Sequence, residues 1–266
     1  MTIDLTAYAE RIGFRGGWRP SAQTLRQLHL AHATHIPFEN IDVLLRRPIR
    51  LDLEGLWKKL VEEGRGGYCF EQNTLFAAVL ESVGFRVLRL AARVRLGAPG
   101  IGSRGHMLLA VEADGQKWLV DVGFGGEALL LPIPWRVGEA AVQFDWQYRL
   151  TAEGPVYVLQ DLRPAGWLDL YSFTMEEQYP IDYEVANWHT STHPNSFFLK
   201  RLMVHIPGPK VRSTVVNRRL IERRPEGSTE VLLADDAAIL EVLASRFGLH
   251  FPAGTRFPYE EESGAA

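Results

Sequence analysis

Arg65-Gly66-Gly67-Tyr68-Cys69-Phe70-Glu71-Gln72-Asn73 holds the only cysteine of a 266-residue chain. A lone thiol builds neither an intramolecular disulfide nor a cysteine-rich zinc site, which leaves an inert core residue or a nucleophile. The apolar positions that follow, Leu75, Phe76, Val79, Leu80 and Val83, recur at helical spacing, and Gly84 supplies a stop. Cys69 therefore falls at or just before a helix N-terminus, where unpaired N–H groups and the helix dipole favour a thiolate. Gly66 and Gly67 let backbone approach the sulfur closely.

Upstream, Ser21 is the expected N-cap of a helix through Leu25, Leu28 and Leu30. Asp52 plays that part for Leu56, Leu60 and Val61, with Gly64 as stop. From Phe85 the pattern turns β-branched and alternating, predicting strands over 87–96, 106–113, 117–122, 144–150, 156–162 and 167–173. The Pro/Gly run at 97–105 reads as a loop over a site. After Pro180 a short helix is expected over 181–188, then a polar loop at 191–196. Strands follow over 201–206 and 211–216, and an amphipathic helix over 237–247 ends at Gly248.

The composition, 46% hydrophobic and 23% charged, is that of an ordinary folded protein. The length suits two or three small units packed together, with room for a buried site. A net charge of -3 gives no reason to expect nucleic acid as a partner. The N-terminus lacks the pattern of a secretion signal, and no apolar run is long enough to span a bilayer. With a single free cysteine, this predicts a cytoplasmic protein that has no membrane partner.

A thiolate nucleophile needs a base, and position singles out one of the eight histidines. His106 opens the strand His106-Met107-Leu108-Leu109-Ala110-Val111-Glu112-Ala113, which runs through Asp114-Gly115 into Gln116-Lys117-Trp118-Leu119-Val120-Asp121. Asp-Gly between two such runs is a strong hairpin signal. If those two residues form the turn, Ala113 faces Gln116, and His106 and Asp121 become diagonal neighbours on one face. Asp121 is costly to bury among Trp118, Leu119, Val120 and Val122 unless a donor such as an imidazole N–H meets it. The arrangement is nucleophile, base and orienting acid.

These blocks, together with Pro37-Phe38-Glu39-Asn40 and Val120-Asp121-Val122-Gly123-Phe124-Gly125, resemble the arylamine N-acetyltransferases. The resemblance covers most of the chain and loosens beyond about residue 190. It implies an α+β fold: an N-terminal helical bundle (1–84), a central β-barrel-like domain (85–190) and a C-terminal α/β lid (191–266), with a cysteine-protease-like Cys-His-Asp core. It also implies a catalytic triad of Cys69, His106 and Asp121 and acetyl-CoA as co-substrate. An arylamine, arylhydroxylamine or arylhydrazine would be the acceptor in ping-pong transfer through an acetyl-thioester. Phe38, Phe124, Gly125 and Gly126 are the implied substrate-binding residues, and Arg65 and Glu39 a supporting ion pair.

Three other readings compete. A papain-like or transglutaminase-like hydrolase uses the same kind of triad. An amide synthase of antibiotic biosynthesis falls within the same resemblance, and a scaffold that only binds ligands is the non-enzymatic option. Gly123-Phe124-Gly125-Gly126 lacks the Lys-Ser/Thr of a phosphate loop and reads as a tight turn open to substrate. Lys200, Arg201, Lys210, Arg212, Arg218 and Arg219 are candidates to meet the CoA phosphates. The other histidines, His29, His32, His35, His189, His193, His205 and His250, show no metal-ligand spacing, so no metal is expected.

Overall fold

The computed structural model describes residues 2–260. The first third is helical, with α1 (Leu5–Ile12), α2 (Ala22–His35), α3 (Ile41–Leu44), α4 (Leu53–Trp57) and α5 (Cys69–Val83), interrupted by a two-residue strand β1 (Phe38–Glu39). The caps are those the sequence offers. Ser21 Oγ accepts from Thr24 N and Asp52 Oδ1 from Gly55 N, and Gly84 ends α5 at φ +101°. After α4 the chain continues as a turn of π-helix, Lys58–Glu62, rather than as the single regular helix expected up to Gly64.

The middle third is strand: β2 (Arg86–Val94), β3 (His106–Ala113), β4 (Gln116–Val120), β5 (Ile133–Pro134), β6 (Ala140–Gln143), β7 (Trp146–Glu153), β8 (Val156–Arg163) and β9 (Gly166–Phe173). They form an antiparallel eight-stranded sheet in the order β5-β4-β3-β2-β9-β8-β7-β6. The sheet curls until its two edges nearly meet. Gln143, at the end of β6, completes the closure through its amide: Oε1 accepts from Leu130 N and Leu131 N, and Nε2 donates to Leu131 O. The expected strand over 144–150 starts two residues late. Phe144 has φ +57° and forms the turn between β6 and β7, where Gln143 pairs with Trp146.

The last third comprises α6 (Pro180–Thr192), β10 (Met203–Ile206), β11 (Arg212–Val216), β12 (Arg219–Arg224), β13 (Gly227–Leu232) and α7 (Asp236–Phe247). α6 outruns its expected end at Trp188. Ser191 and Thr192 bond back to the carbonyls of Asn187 and Trp188 instead of opening a loop. The hairpin of β12 and β13 was not expected: its charged residues hide the alternation of a strand, and β13 is exposed along its whole length. These strands form a second antiparallel sheet, β1-β10-β11-β12-β13, whose first strand comes from the helical third. Phe38 pairs with His205 and Glu39 with Val204, while Phe38 also bridges to Gly67.

Three apolar clusters follow from this layout. One packs the helices, including Leu75, Phe76 and Val79 of α5, against Met107, Leu109 and Val111 on the outer face of β3. A second fills the curled sheet with Leu90, Leu108, Leu119, Tyr148 and Tyr171. A third seats α7, through Ile239, Leu243 and Phe247, on Val204 and Val215 of the second sheet. Among the described residues no helix is long and apolar enough to cross a membrane.

Candidate active site

Residues 65–73 are buried throughout, so the stretch around the cysteine is a wall between helices and sheet. Its conformation is tightly imposed. A Cβ on Gly66 would lie 2.1 Å from Pro37 O, and one on Gly67 would lie 2.8 Å from Glu71 Oε2. Glu71 Oε2 accepts from Tyr68 N at 3.0 Å, fixing the first turn of α5. Cys69 is the first residue of that helix, 4% exposed, with Sγ 3.8 Å from Gly105 O.

The hairpin brings the other two candidates together. Asp114 and Gly115 have φ +50° and +72°, a two-residue turn, and Ala113 pairs with Gln116. His106 Nε2 lies 2.7 Å from Asp121 Oδ2, and both residues are buried. Asp121 Oδ1 accepts from Gly123 N at 3.0 Å and from Asn73 Nδ2 at 3.1 Å. Burial opposes its charge, but His106 and these donors prevail and hold the carboxyl below its ordinary value. Burial likewise pulls the His106 imidazole down. The Asp121 carboxylate and the Cys69 sulfur pull harder, and its pKa rises from 6.5 to about 10. An imidazolium is therefore the form of His106 that this site favours at neutral pH.

Phe124 closes the site from above, its ring edge-on to the His106 imidazole at 4.9 Å and to Tyr171 at 4.8 Å. Gly125 has φ +82°, and a Cβ there would lie 3.2 Å from His205 and 3.5 Å from Phe38. One on Gly126 would lie 3.1 Å from His205 Nδ1. Phe38 itself lies 5.4 Å from His205 and 6.3 Å from Phe198, ring to ring. Of the four residues expected at the substrate, Phe124 thus lies against His106, while Phe38, Gly125 and Gly126 gather around His205.

Arg65 and Glu39 are in contact: Nη2 and Nε reach Glu39 Oε1 at 2.6 and 3.0 Å. The pair belongs to a larger network, because Arg65 also meets Asp42 at 3.2 Å, and Lys59 joins Asp42 at 2.8 Å to Glu71 at 2.7 Å. Charge thereby links β1, α3 and the cap of the cysteine helix.

Several residues of the site escaped the sequence reading. Asn73 lies one helical turn from Cys69, and its amide reaches Met107 O, Asp121 Oδ1 and Val122 N; the i+4 spacing was its only signal. Tyr171 packs on His106 at 4.9 Å from the far strand β9. His29 Nε2 accepts from Asp121 N at 3.3 Å, and burial lowers its pKa to about 4, so it serves as a neutral acceptor. Arg212 is not placed to meet a free phosphate. It is 1% exposed, donates to Gly126 O at 2.9 Å, faces Glu127 and stacks on Trp146 at 4.3 Å. Among the described residues no group of three or more His, Cys, Asp or Glu side chains is arranged to hold a metal ion.

A buried cysteine at a helix start, beside an imidazole bonded to a carboxylate, is an arrangement suited to thiol-dependent acyl transfer. Residues 21–255 match the N-acetyltransferase family model. The chain is 40% identical to an arylamine N-acetyltransferase of Mycolicibacterium smegmatis over 94% of its length and 93% of the relative. It is 40% identical to that of Escherichia coli over 94% of its length and 90% of the relative. The Mycobacterium marinum arylamine N-acetyltransferase, solved in complex with CoA, superposes with a TM-score of 0.88 at 38% identity, covering 92% of each chain. The chain belongs to this N-acetyltransferase family.

Proposed function

We propose that the chain is an arylamine N-acetyltransferase that takes an acetyl group from acetyl-CoA onto Cys69 and passes it to the nitrogen of an arylamine, arylhydroxylamine or arylhydrazine. The observation that carries the reading is the 2.7 Å contact of His106 with Asp121 beside the thiol. In the first half-reaction the Cys69 sulfur attacks the thioester carbonyl and forms a new C–S bond. As the old C–S bond breaks, His106 gives its proton to the departing CoA sulfur. In the second half-reaction the amine nitrogen attacks the acetyl carbon on Cys69. His106 takes the proton that the nitrogen sheds, and the amide leaves as the thiolate is restored. Asp121 holds the imidazole in place and balances its charge through both halves. The M. marinum relative bound to CoA supports acetyl-CoA as the donor.

The same reading gives Phe38, Phe124, Gly125 and Gly126 to the acceptor wall and Arg65 with Glu39 to the support of the cysteine loop. It also divides the chain into units 1–84, 85–190 and 191–266. The cluster inside the curled sheet lies wholly in the second unit, whereas the helical cluster reaches into β3 and β4, the third takes in Ile41 and Leu44, and the last boundary falls within α6. The test is to mix the protein with acetyl-CoA alone, quench, and look for an acetylated Cys69 peptide by mass spectrometry. An arylamine added afterwards should discharge it as the N-acetyl product. Product formation without any acetyl-Cys69 would overturn the two-step route, and no amide product at all would overturn the transferase.

A further inference from the structure

Beneath the loop that joins β2 to β3 lies a cavity of about 240 Å³, bordered by Ala91, Arg93, Gly102, Arg104, Ser172 and Phe173. It adjoins the site already described. Arg104 precedes Gly105, whose carbonyl lies 3.8 Å from Cys69 Sγ, and Ala92, between Ala91 and Arg93, pairs directly with His106. Ala91 pairs with Met107, so Ala91 and Arg93 lie on the sheet face against which α5 packs.

The arginines of this cavity differ in what they face. Arg95 is matched by Glu153 at 2.7 Å and Asp169 at 2.9 Å, and Arg104 by Glu176 at 2.5 Å. Half-buried Arg93 has no acidic partner among the described residues and donates from Nη1 to Gly102 O at 2.5 Å. That leaves Nε and Nη2 to an incoming acceptor, in the fork geometry that suits an oxyanion. The walls beside it, Ala91 and Val156, are apolar, and Ser172, which pairs with Arg93, adds a hydroxyl. An apolar cavity of roughly 150 Å³ holds a benzene molecule, so the space here suits one aromatic ring with a charged substituent.

We infer that Arg93 is the specificity residue of an anion subsite, which takes an oxyanion carried by a substrate and selects arylamines bearing a ring carboxylate. The inference rests on the arylamine reading above. The phosphates of the donor carry the same oxyanion chemistry, and the test separates the two sources.

The experiment compares wild type, Arg93→Gln and Arg93→Lys in kcat/KM for 4-aminobenzoate against the uncharged 4-aminobenzamide, and for acetyl-CoA against S-acetylpantetheine. Loss of a charge-assisted hydrogen bond predicts that Arg93→Gln lowers the aminobenzoate-to-aminobenzamide ratio about 10- to 100-fold, with Arg93→Lys recovering part of it. A fall confined to the acetyl-CoA-to-acetylpantetheine ratio keeps the subsite and assigns its oxyanion to the donor. Both ratios unchanged, including a loosened loop that slows every substrate alike, would overturn the subsite. Wild type that turns over aminobenzamide while the ratios stay flat fails this inference alone; wild type that acetylates no amine fails the arylamine reading and this inference with it.

Discussion

The side-chain amide of Asn73 donates to Asp121 Oδ1 at 3.1 Å, so the helix that starts at Cys69 also grips the carboxylate bonded to His106. The same amide donates to Met107 O and accepts from Val122 N, tying α5 to both arms of the hairpin. Replacing Asn73 by Ala strips a buried carboxylate of one donor and leaves a buried carbonyl and N–H unmet. A cost of roughly 1–3 kcal/mol is expected for such a loss. Urea unfolding should show it, together with a fall in the rate of acetyl-Cys69 formation. Wild-type stability in the variant would show that the amide is dispensable.

Gly123 separates this hairpin from the cysteine helix by less than a methyl group. A Cβ there would stand 2.7 Å from Cys69 Cα and 2.9 Å from Asn73 Nδ2. The first neighbour is backbone and cannot swing away, so Gly123→Ala has to push α5 from the sheet and should abolish acetylation. Gly126→Ala meets side chains rather than backbone, His205 at 3.1 Å and Thr214 at 3.5 Å, and should fold and still acetylate Cys69, with its effect confined to the acceptor. Comparing single-turnover rates of the two variants checks the contrast, and equal activities would contradict it.

The His106 and Asp121 pair sets a pH dependence of stability. The folded pKa of His106, about 10, lies above its ordinary 6.5, so the stabilisation is complete below pH 6.5 and is lost as pH rises through about 10. The stability advantage of wild type over His106→Asn should therefore be largest below pH 6.5 and shrink toward pH 10. Denaturant midpoints across that range measure it. An advantage that grows with pH would mean that the folded state holds a neutral imidazole.

Arg65 neutralises Glu39, which is fully buried, and shares Asp42 with Lys59. Arg65→Met leaves a buried carboxylate without its guanidinium, which costs about 3–5 kcal/mol. Arg65→Lys keeps the charge but loses the two-nitrogen contact with Glu39 Oε1, and should fall between. Calorimetric unfolding ranks the three proteins, and an Arg65→Met as stable as wild type would reduce the pair to ornament.

What could be read from the sequence was local. Asp114-Gly115 sets its own turn, the turn sets the register, and the register brings His106 to Asp121; none of this needs the rest of the chain. The helix after Cys69 was legible for the same reason, since periodicity and Gly84 define it alone. Phe38–Glu39 carries no such signal, because a two-residue strand has no pattern and its partner β10 lies far along the chain. The hairpin of β12 and β13 was hidden by residues chosen for charge, such as the Arg219 and Glu230 pair, rather than for an alternating face. Phe144 in a left-handed turn runs against the habit of aromatic residues, so its strand was begun too early. Arg212 read as a candidate for the CoA phosphates because only the folded sheet reveals the Gly126 carbonyl that it meets.

The pairing of β1 with β10 also has a consequence in time. Synthesis runs from the N-terminus, and Cys69, His106 and Asp121 are all made before Met203 to Ile206 and before Arg212. A growing chain therefore holds Cys69, His106 and Asp121 while Phe38 still lacks His205 beside it and Gly126 still lacks the guanidinium that anchors it. On the function proposed above, the centre is born early and its pocket last, so a ribosome that stalls near residue 200 leaves Cys69, His106 and Asp121 with no finished chamber around them.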